Sequence, residues 1–319
     1  MRGIFHQTLR FRFMPAKLNS PLINVCELKS YSILRISGND RNQFLQGQLT
    51  QDLDVIDMRR SALTGWTTAK GRLLAIGQLM DWNESIYLPL PAAIAESVAR
   101  RLAMFVLRAD VEIDFPDLQS FGLVGESTDA LDIDGLELPP EPGTCRASDD
   151  LCVARVVGDP VRAWAIGNLQ TIGTATSGAD RITETEWLLQ NIRAGIPAVG
   201  PETTETFIPQ MLNLDLLDGI SFTKGCYVGQ EIVARTQNLG RIKRRMYRFR
   251  TETDPPCQPG QLLFGPDDAT GRIVSCARDN GAIEMLAVIP ISASDGPWHT
   301  DEDRTIILQR KPLPYPVNH

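Results

Sequence analysis

The chain changes character near Gly240, and that change limits its fold more than any other feature of the sequence. Ahead of it, short strand-type runs alternate irregularly with segments of helical spacing. Beyond it, Gly and Pro punctuate only short β-type runs: Tyr247–Arg250, Gln261–Phe264, Gly271–Cys276 and Met285–Ile289. The second pattern predicts a small all-β barrel or sandwich. The first predicts α+β units without a regular βαβ alternation. A chain of 319 residues is too long for one compact core and suits two or three domains. The expected organisation is a flexible extension over 1–20, a region over 21–240 of two interleaved α+β subdomains (about 21–115 and 116–240), and a barrel over 241–319.

Local signals fill in this outline. Tyr31–Ile36 predicts a strand closed by Gly38, and Asp40 with Gln43 predicts a capping box opening a helix that carries Phe44, Leu45 and Leu49. Ala69-Lys70-Gly71 predicts a turn between strands over Ser61–Thr67 and Leu73–Met80, with Ile86–Leu90 as a further strand. Pro91 suits the first position of a helix whose apolar face is Ile94, Val98, Leu102, Phe105 and Val106. Thr183 with Glu186 predicts a second capping box, ahead of a helix carrying Trp187, Leu188 and Ile192 and stopping at Gly195.

Composition excludes several classes. The formal net charge of −7 argues against a dedicated nucleic-acid binder. No apolar run reaches the roughly 20 residues of a membrane span. The six cysteines form no C-x-x-C pair and there are three histidines, so no metal site is expected and a reducing compartment is. The first 20 residues are basic (Arg2, Arg10, Arg12, Lys17) and read as an extension or as an early start ahead of Met14. A transit peptide is the alternative. The expected location is the cytoplasm, with the mitochondrial matrix as alternative.

The chemistry concentrates in Lys224-Gly-Cys-Tyr-Val-Gly-Gln-Glu231. Two glycines flank Cys226 within five residues, which predicts a tight turn or a close backbone approach. A neighbouring lysine favours a thiolate, so Cys226 can be a poised thiol. On local chemistry alone a buried structural cysteine is the better reading.

The segment resembles the K-G-C-Y-x-G-Q-E signature of the YgfZ family. Phe44-Leu-Gln-Gly-Gln-Leu-Thr50 with Asp52, Ala69-Lys-Gly-Arg72, and Trp187 through Pro197 match that family in order. So do Phe207-Ile-Pro-Gln210 with Asn213-Leu214, Ala234-Arg235, Lys243-Arg244 and Pro312-Leu-Pro-Tyr315, and the similarity runs from about residue 25 to 316. The resemblance implies an α+β, multidomain aminomethyltransferase-like fold, shared with the T-protein of the glycine cleavage system, around a central channel for tetrahydrofolate or a substituted folate. It implies an accessory role in assembly or repair of iron–sulfur enzymes, including tRNA-modifying ones, with those enzymes or their assembly proteins as partners. A one-carbon transferase is the alternative function, and a partner-binding scaffold without folate a third.

Folate needs an apolar or aromatic surface for its ring, fixed polar groups and some positive charge. The resemblance places Trp187 at the folate, with Tyr31 standing where the family has a second tryptophan. Lys224, Gln230 and Glu231 are expected near the same channel, and Cys226 is the candidate thiol. Read without the family, Trp187 is core on an amphipathic helix. Two departures count against turnover. The acidic pair of the true aminomethyltransferases is missing from Gly71–Ile76, and Thr67-Thr68 replaces a Cys-Asp of many YgfZ chains. The basic run Arg241–Arg250 is expected to be a barrel strand with Tyr247 and Phe249 inward and its charges solvated or lining the channel, so direct nucleic-acid binding is not expected. A monomer is expected.

Overall fold

A computed structural model describes residues 23–125, 132–133, 136–176, 178–238 and 242–317. The 1–20 extension, Met14 and the boundary at Gly240 lie outside the described residues.

The first sheet orders its strands Ala62–Thr67, Leu73–Trp82, Ser85–Pro91, Tyr31–Ser37 and Glu112–Asp114, all neighbours antiparallel. Helices α1 (Arg41–Gln46) and α2 (Ala92–Ala103) belong to this unit. Ile94, Ala95, Val98 and Leu102 of α2 pack on Leu34, Ile36 and Leu88, but Phe105 and Val106, expected on the same helical face, lie beyond the helix end, and Phe105 is exposed. Pro91 is the residue before the helix, one position earlier than expected. Asp40 does not cap α1. Its backbone is not extended, as a capping residue's is, and its Oδ2 instead accepts from the Asp110 N–H at 2.8 Å.

The second sheet runs Cys145–Ala147, Leu151–Val156, Val161–Gly167, Gln119–Gly125, Ile23–Glu27 and Asp180–Arg181. Ile23–Glu27 pairs with Gln119–Gly125, so the first strand among the described residues lies in the second sheet, not in the first. Helix α3 (Leu169–Ala175) starts at Asn168, whose Oδ1 accepts from the Thr171 N–H at 2.7 Å. Helix α4 (Glu184–Ala194) has the expected capping box in full: Glu186 N–H donates to Thr183 Oγ1, and Thr183 N–H donates to Glu186 Oε2. Gly195 ends it in the left-handed region at φ 69°. Helix α5 (Gln230–Asn238) begins directly after Gly229, where the sequence predicts only a turn.

The C-terminal strands close a barrel in the order Arg244–Thr251, Ala282–Pro290, Thr270–Asp279, Leu262–Phe264, Trp298–His299 and Ile307–Lys311. Closure comes from the last strand pairing back on the first. Tyr247 and Phe249 point into its core, as alternation requires. The basic side chains of that strand depart from expectation. Arg245 is buried and paired with Asp215, while Arg248 and Arg250 meet Glu284 and Asp279, so three of the strand's four arginines are neutralised within the protein; Arg244 donates to the Thr270 carbonyl. One apolar cluster joins Leu73 and Ile76, Leu189 and Ile192 of α4, Leu212, Leu214 and the barrel's Met246, Leu286 and Val288. No helix among the described residues is long and apolar enough to cross a membrane.

Candidate functional site

Where these units meet they enclose a cavity of about 380 Å³, within the range of small-molecule sites. Its walls come from both sheets, α4 and the segment after the barrel: Tyr31 and Ile76 of the first sheet, Arg162 and Trp164 of the second, Leu188 and Asn191 of α4, and Tyr315 near the C-terminus.

The aromatic wall is Tyr31 set edge-on to Trp164, ring centroids 4.9 Å apart. Burial, and then the charge of Glu184, push the Tyr31 phenol up to about 12, so at neutral pH it is a neutral donor. Trp187 stands behind this wall. It is 1% exposed, does not line the cavity, and packs edge-on to Trp164 at 5.9 Å. Its ring fills the space over Gly122, where an added Cβ would come within 2.5 Å of it. The Arg162 guanidinium lies over the Trp187 ring, 5.0 Å from its centroid.

Arg155 and Arg162 line the cavity and are 6% and 1% exposed. Arg162 donates to Asn191 Oδ1 at 2.7 Å and to the Val157 carbonyl at 2.5 Å, and its Nε has no partner. Nε and Nη1 of Arg155 also lack partners. Among the described residues neither guanidinium has a carboxylate in ion-pair range. Burial lowers both arginines, and the charge of Arg155 further lowers Arg162, to about 9. Both remain cations at neutral pH. The sequence reading missed these two and Trp164, because buried arginines on β-type runs look like ordinary strand positions until the topology shows what they face.

The stretch Gly71–Ile76 contributes Ile76 to the cavity and no acid. Asp218 is the carboxylate among the described lining residues. It sits at a positive φ of 54°, and its carbonyl accepts from Gln51 Nε2 at 2.5 Å.

Lys224, Cys226, Gln230 and Glu231 do not line the cavity. Their segment supplies a brace that ties three motifs together. Lys224 Nζ donates to the carbonyls of Leu49 at 2.9 Å and Gln51 at 2.6 Å. Val228 N–H donates to the Gly47 carbonyl, and Thr67 Oγ1 donates to the Val228 carbonyl at 2.6 Å. Gly229, at φ 85°, lies against the Lys70-Gly71 turn so closely that a Cβ there would sit 2.4 Å from the Thr68 carbonyl oxygen. The close approach predicted for this segment is therefore at Gly229. Gly225 has open space around it. Burial lowers Lys224 to about 8, with Asp52 and Asp54 acting in the opposite sense. Its ammonium donates to those two carbonyls and stands 5.3 Å from the Tyr227 ring centroid. Cys226 is exposed, and Gln230 Nε2 reaches only the Gly225 carbonyl, at 3.4 Å.

An α+β body followed by a closed barrel gives the chain an aminomethyltransferase-like fold. The aminomethyltransferase T of the glycine cleavage system from Bartonella henselae shares the fold, with a TM-score of 0.69 over 91% of this chain and 85% of its own, at 12% identity. Within that class the chain is similar to proteins named tRNA-modifying protein YgfZ. It is 29% identical to that of Colwellia psychrerythraea over 254 residues, 78% of each chain, and 27% identical to that of Yersinia pestis over 318 residues, 96% of each. An uncharacterized protein of Haemophilus influenzae is 29% identical over 91% of this chain and 97% of its own. No family model matches the chain. The resemblance to the YgfZ family read from the motifs is thus borne out in sequence and in fold.

Proposed function

We propose that the cavity binds a tetrahydrofolate-type ligand and that the protein acts as an accessory factor for iron–sulfur enzymes, including those that modify tRNA. The observation that carries the ligand class is the Tyr31–Trp164 wall in a cavity closed by both sheets, α4 and the C-terminal segment. A flat heterocycle buries well against such a wall. Trp187 supports it from behind, fixing Trp164 and Arg162, which is how a residue outside the cavity bears on what the cavity holds. The accessory role follows from the likeness to proteins named for tRNA modification. Cys226 lies exposed and apart from the cavity lining, so its proposed partner is a client protein or small thiol, not the folate.

Calorimetry with tetrahydrofolate tests the ligand. Wild type is expected to bind, and Trp164→Ala and Tyr31→Ala to bind at least about tenfold more weakly, the worth of one well-packed aromatic contact. Absence of binding by the wild type overturns the reading and leaves the scaffold alternative. The role in iron–sulfur metabolism is tested in cells by the nucleosides that iron–sulfur enzymes install in tRNA, which are expected to fall when the chain is deleted. One observation favours the transferase alternative, namely Asp218 on the cavity. Steady turnover of an aminomethyl or methyl donor, abolished in Asp218→Asn, is the result that would install it.

A further inference from the structure

Arg162 stands two positions from Trp164 on one strand, so the two side chains leave the same face of the sheet. The arginine is 1% exposed and immobilised: its guanidinium lies over the Trp187 ring, Nη2 donates to the Val157 carbonyl, and Nε is pressed against Gly158. Its Nη1 donates to Asn191 Oδ1 at 2.7 Å. A guanidinium carries donors only, so Arg162 decides which way round the Asn191 amide lies. The oxygen must face the arginine, and the NH2 turns away from it. An aspartate at this place would be the ordinary partner for a buried arginine, because it would supply the missing counter-charge. An asparagine gives up that charge and keeps two N–H donors in hand. Asn191 lines the cavity from α4, one turn along from Leu188, which lines it too. Its Nδ2 makes no hydrogen bond among the described residues, yet it is not one of the sealed polar groups of the core. Through Arg162 the amide is tied to the strand that carries Trp164, so it stands beside the aromatic wall, where the edge of a flat ring lying on that wall would come.

We infer that Asn191 is the residue by which the cavity reads the edge of its ligand's ring: oriented by Arg162, its Nδ2 donates to a ring carbonyl, so the site takes an oxo-substituted heterocycle and refuses one with an amino group at the same place. An amino group there would set donor against donor and leave the amide unpaired. The inference rests on the folate reading for the ring, a 2-amino-4-oxo pteridine, whose carbonyl is the acceptor on that edge. Arg162 is then a positioning residue, and Asn191 the one that touches the ligand.

Calorimetry with tetrahydrofolate and with its 4-amino counterpart, tetrahydroaminopterin, isolates that one group, since the two ligands share ring shape and tail. Wild type is expected to bind tetrahydrofolate at least about tenfold more tightly. Asn191→Asp keeps the side-chain shape, gives Arg162 a carboxylate and replaces the donor by an acceptor. Its melting temperature is expected not to fall. Its ligand preference is expected to vanish or reverse, with tetrahydrofolate weakened and tetrahydroaminopterin bound at least as well as by wild type. General damage to the cavity would weaken both ligands together, and that result overturns the inference. Equal binding of the two ligands by wild type, or a preference for the amino ligand, overturns it without any variant. A preference that survives in Asn191→Asp also overturns it, because it then belongs to another donor such as the Tyr31 phenol. In each of these cases wild type still binds a folate and the folate reading stands. If wild type binds neither ligand, both readings fall together.

Discussion

At the scale of single residues, the motif that dominates the sequence and the cavity that dominates the structure are built from different side chains. Cys226 is exposed and Lys224 is engaged with the Leu49 and Gln51 carbonyls, while Trp164, Arg155 and Arg162 do the lining. The consequence is separable phenotypes. Cys226→Ala is expected to leave tetrahydrofolate affinity within about twofold of wild type, since no cavity contact changes, while impairing complementation of a deletion strain. A large loss of affinity in calorimetry would place the thiol at the ligand after all. Gly229 makes the opposite case, where geometry alone decides. Its φ of 85° and the 2.4 Å approach of an added Cβ to the Thr68 carbonyl leave no room for a side chain. Gly229→Ala is therefore expected to cost at least about 2 kcal/mol, seen as a lower denaturation midpoint, because both strain and a backbone clash must be relieved.

Elements are joined by paired charges at points that apolar packing alone would leave free to slide. Arg245, on the first barrel strand, makes a two-pronged pair with Asp215 at 2.6 and 2.8 Å and also donates to the Gln210 carbonyl. Both side chains are buried, so removing one partner strands the other charge. Asp215→Asn should lower unfolding free energy by about 3–5 kcal/mol in urea melts, whereas a pair worth no more than an exposed one would cost under about 1 kcal/mol. This scale also shows what the sequence could and could not disclose. Short-range rules located the α2 face, the Thr183–Glu186 box and the Gly195 stop, because each depends on residues within a few positions of one another. Asp40 misled because its carboxylate is claimed by Asp110, a partner seventy positions away. Helix α5 was hidden by the glycine that precedes it, which reads as a turn and is in fact the last residue before the helix. The aromatic wall pairs Tyr31 with Trp164 across two sheets, and no periodicity connects positions so distant.

For the molecule as a whole, the question is what makes the barrel and the cavity walls respond together. Glu284 is the hub. It rises from the barrel strand Ala282–Pro290 and meets Arg248 and Arg250 of the neighbouring strand and Arg193 of α4, the helix that also supplies Leu188 and Asn191 to the cavity. Asp279 shares Arg193 and Arg250 with it. Burial opposes the charge of Glu284, but hydrogen bonds from Arg193 and Arg248 prevail and hold its carboxyl below its ordinary range. Asp279 is held low by Arg250 first. A carboxyl lowered on folding contributes stability that is fully present above its unfolded value, near 4.5 for Glu284, and is lost as pH falls through the folded value. This cluster should thus contribute a flat stability between about pH 5 and 7 and a progressive loss below about pH 4.5. Glu284→Gln separates this cluster from other carboxylates. At pH 7 the variant leaves Arg248 without a counter-charge and Arg193 and Arg250 with Asp279, and should be clearly less stable than wild type. As the medium is acidified the wild type protonates the same carboxyl, so the difference between the two should narrow. Urea melts at pH 7, 5, 4 and 3 measure that gap, and a gap constant across the series would mean that the barrel is held to α4 by packing and that the charges at Glu284 are incidental to it.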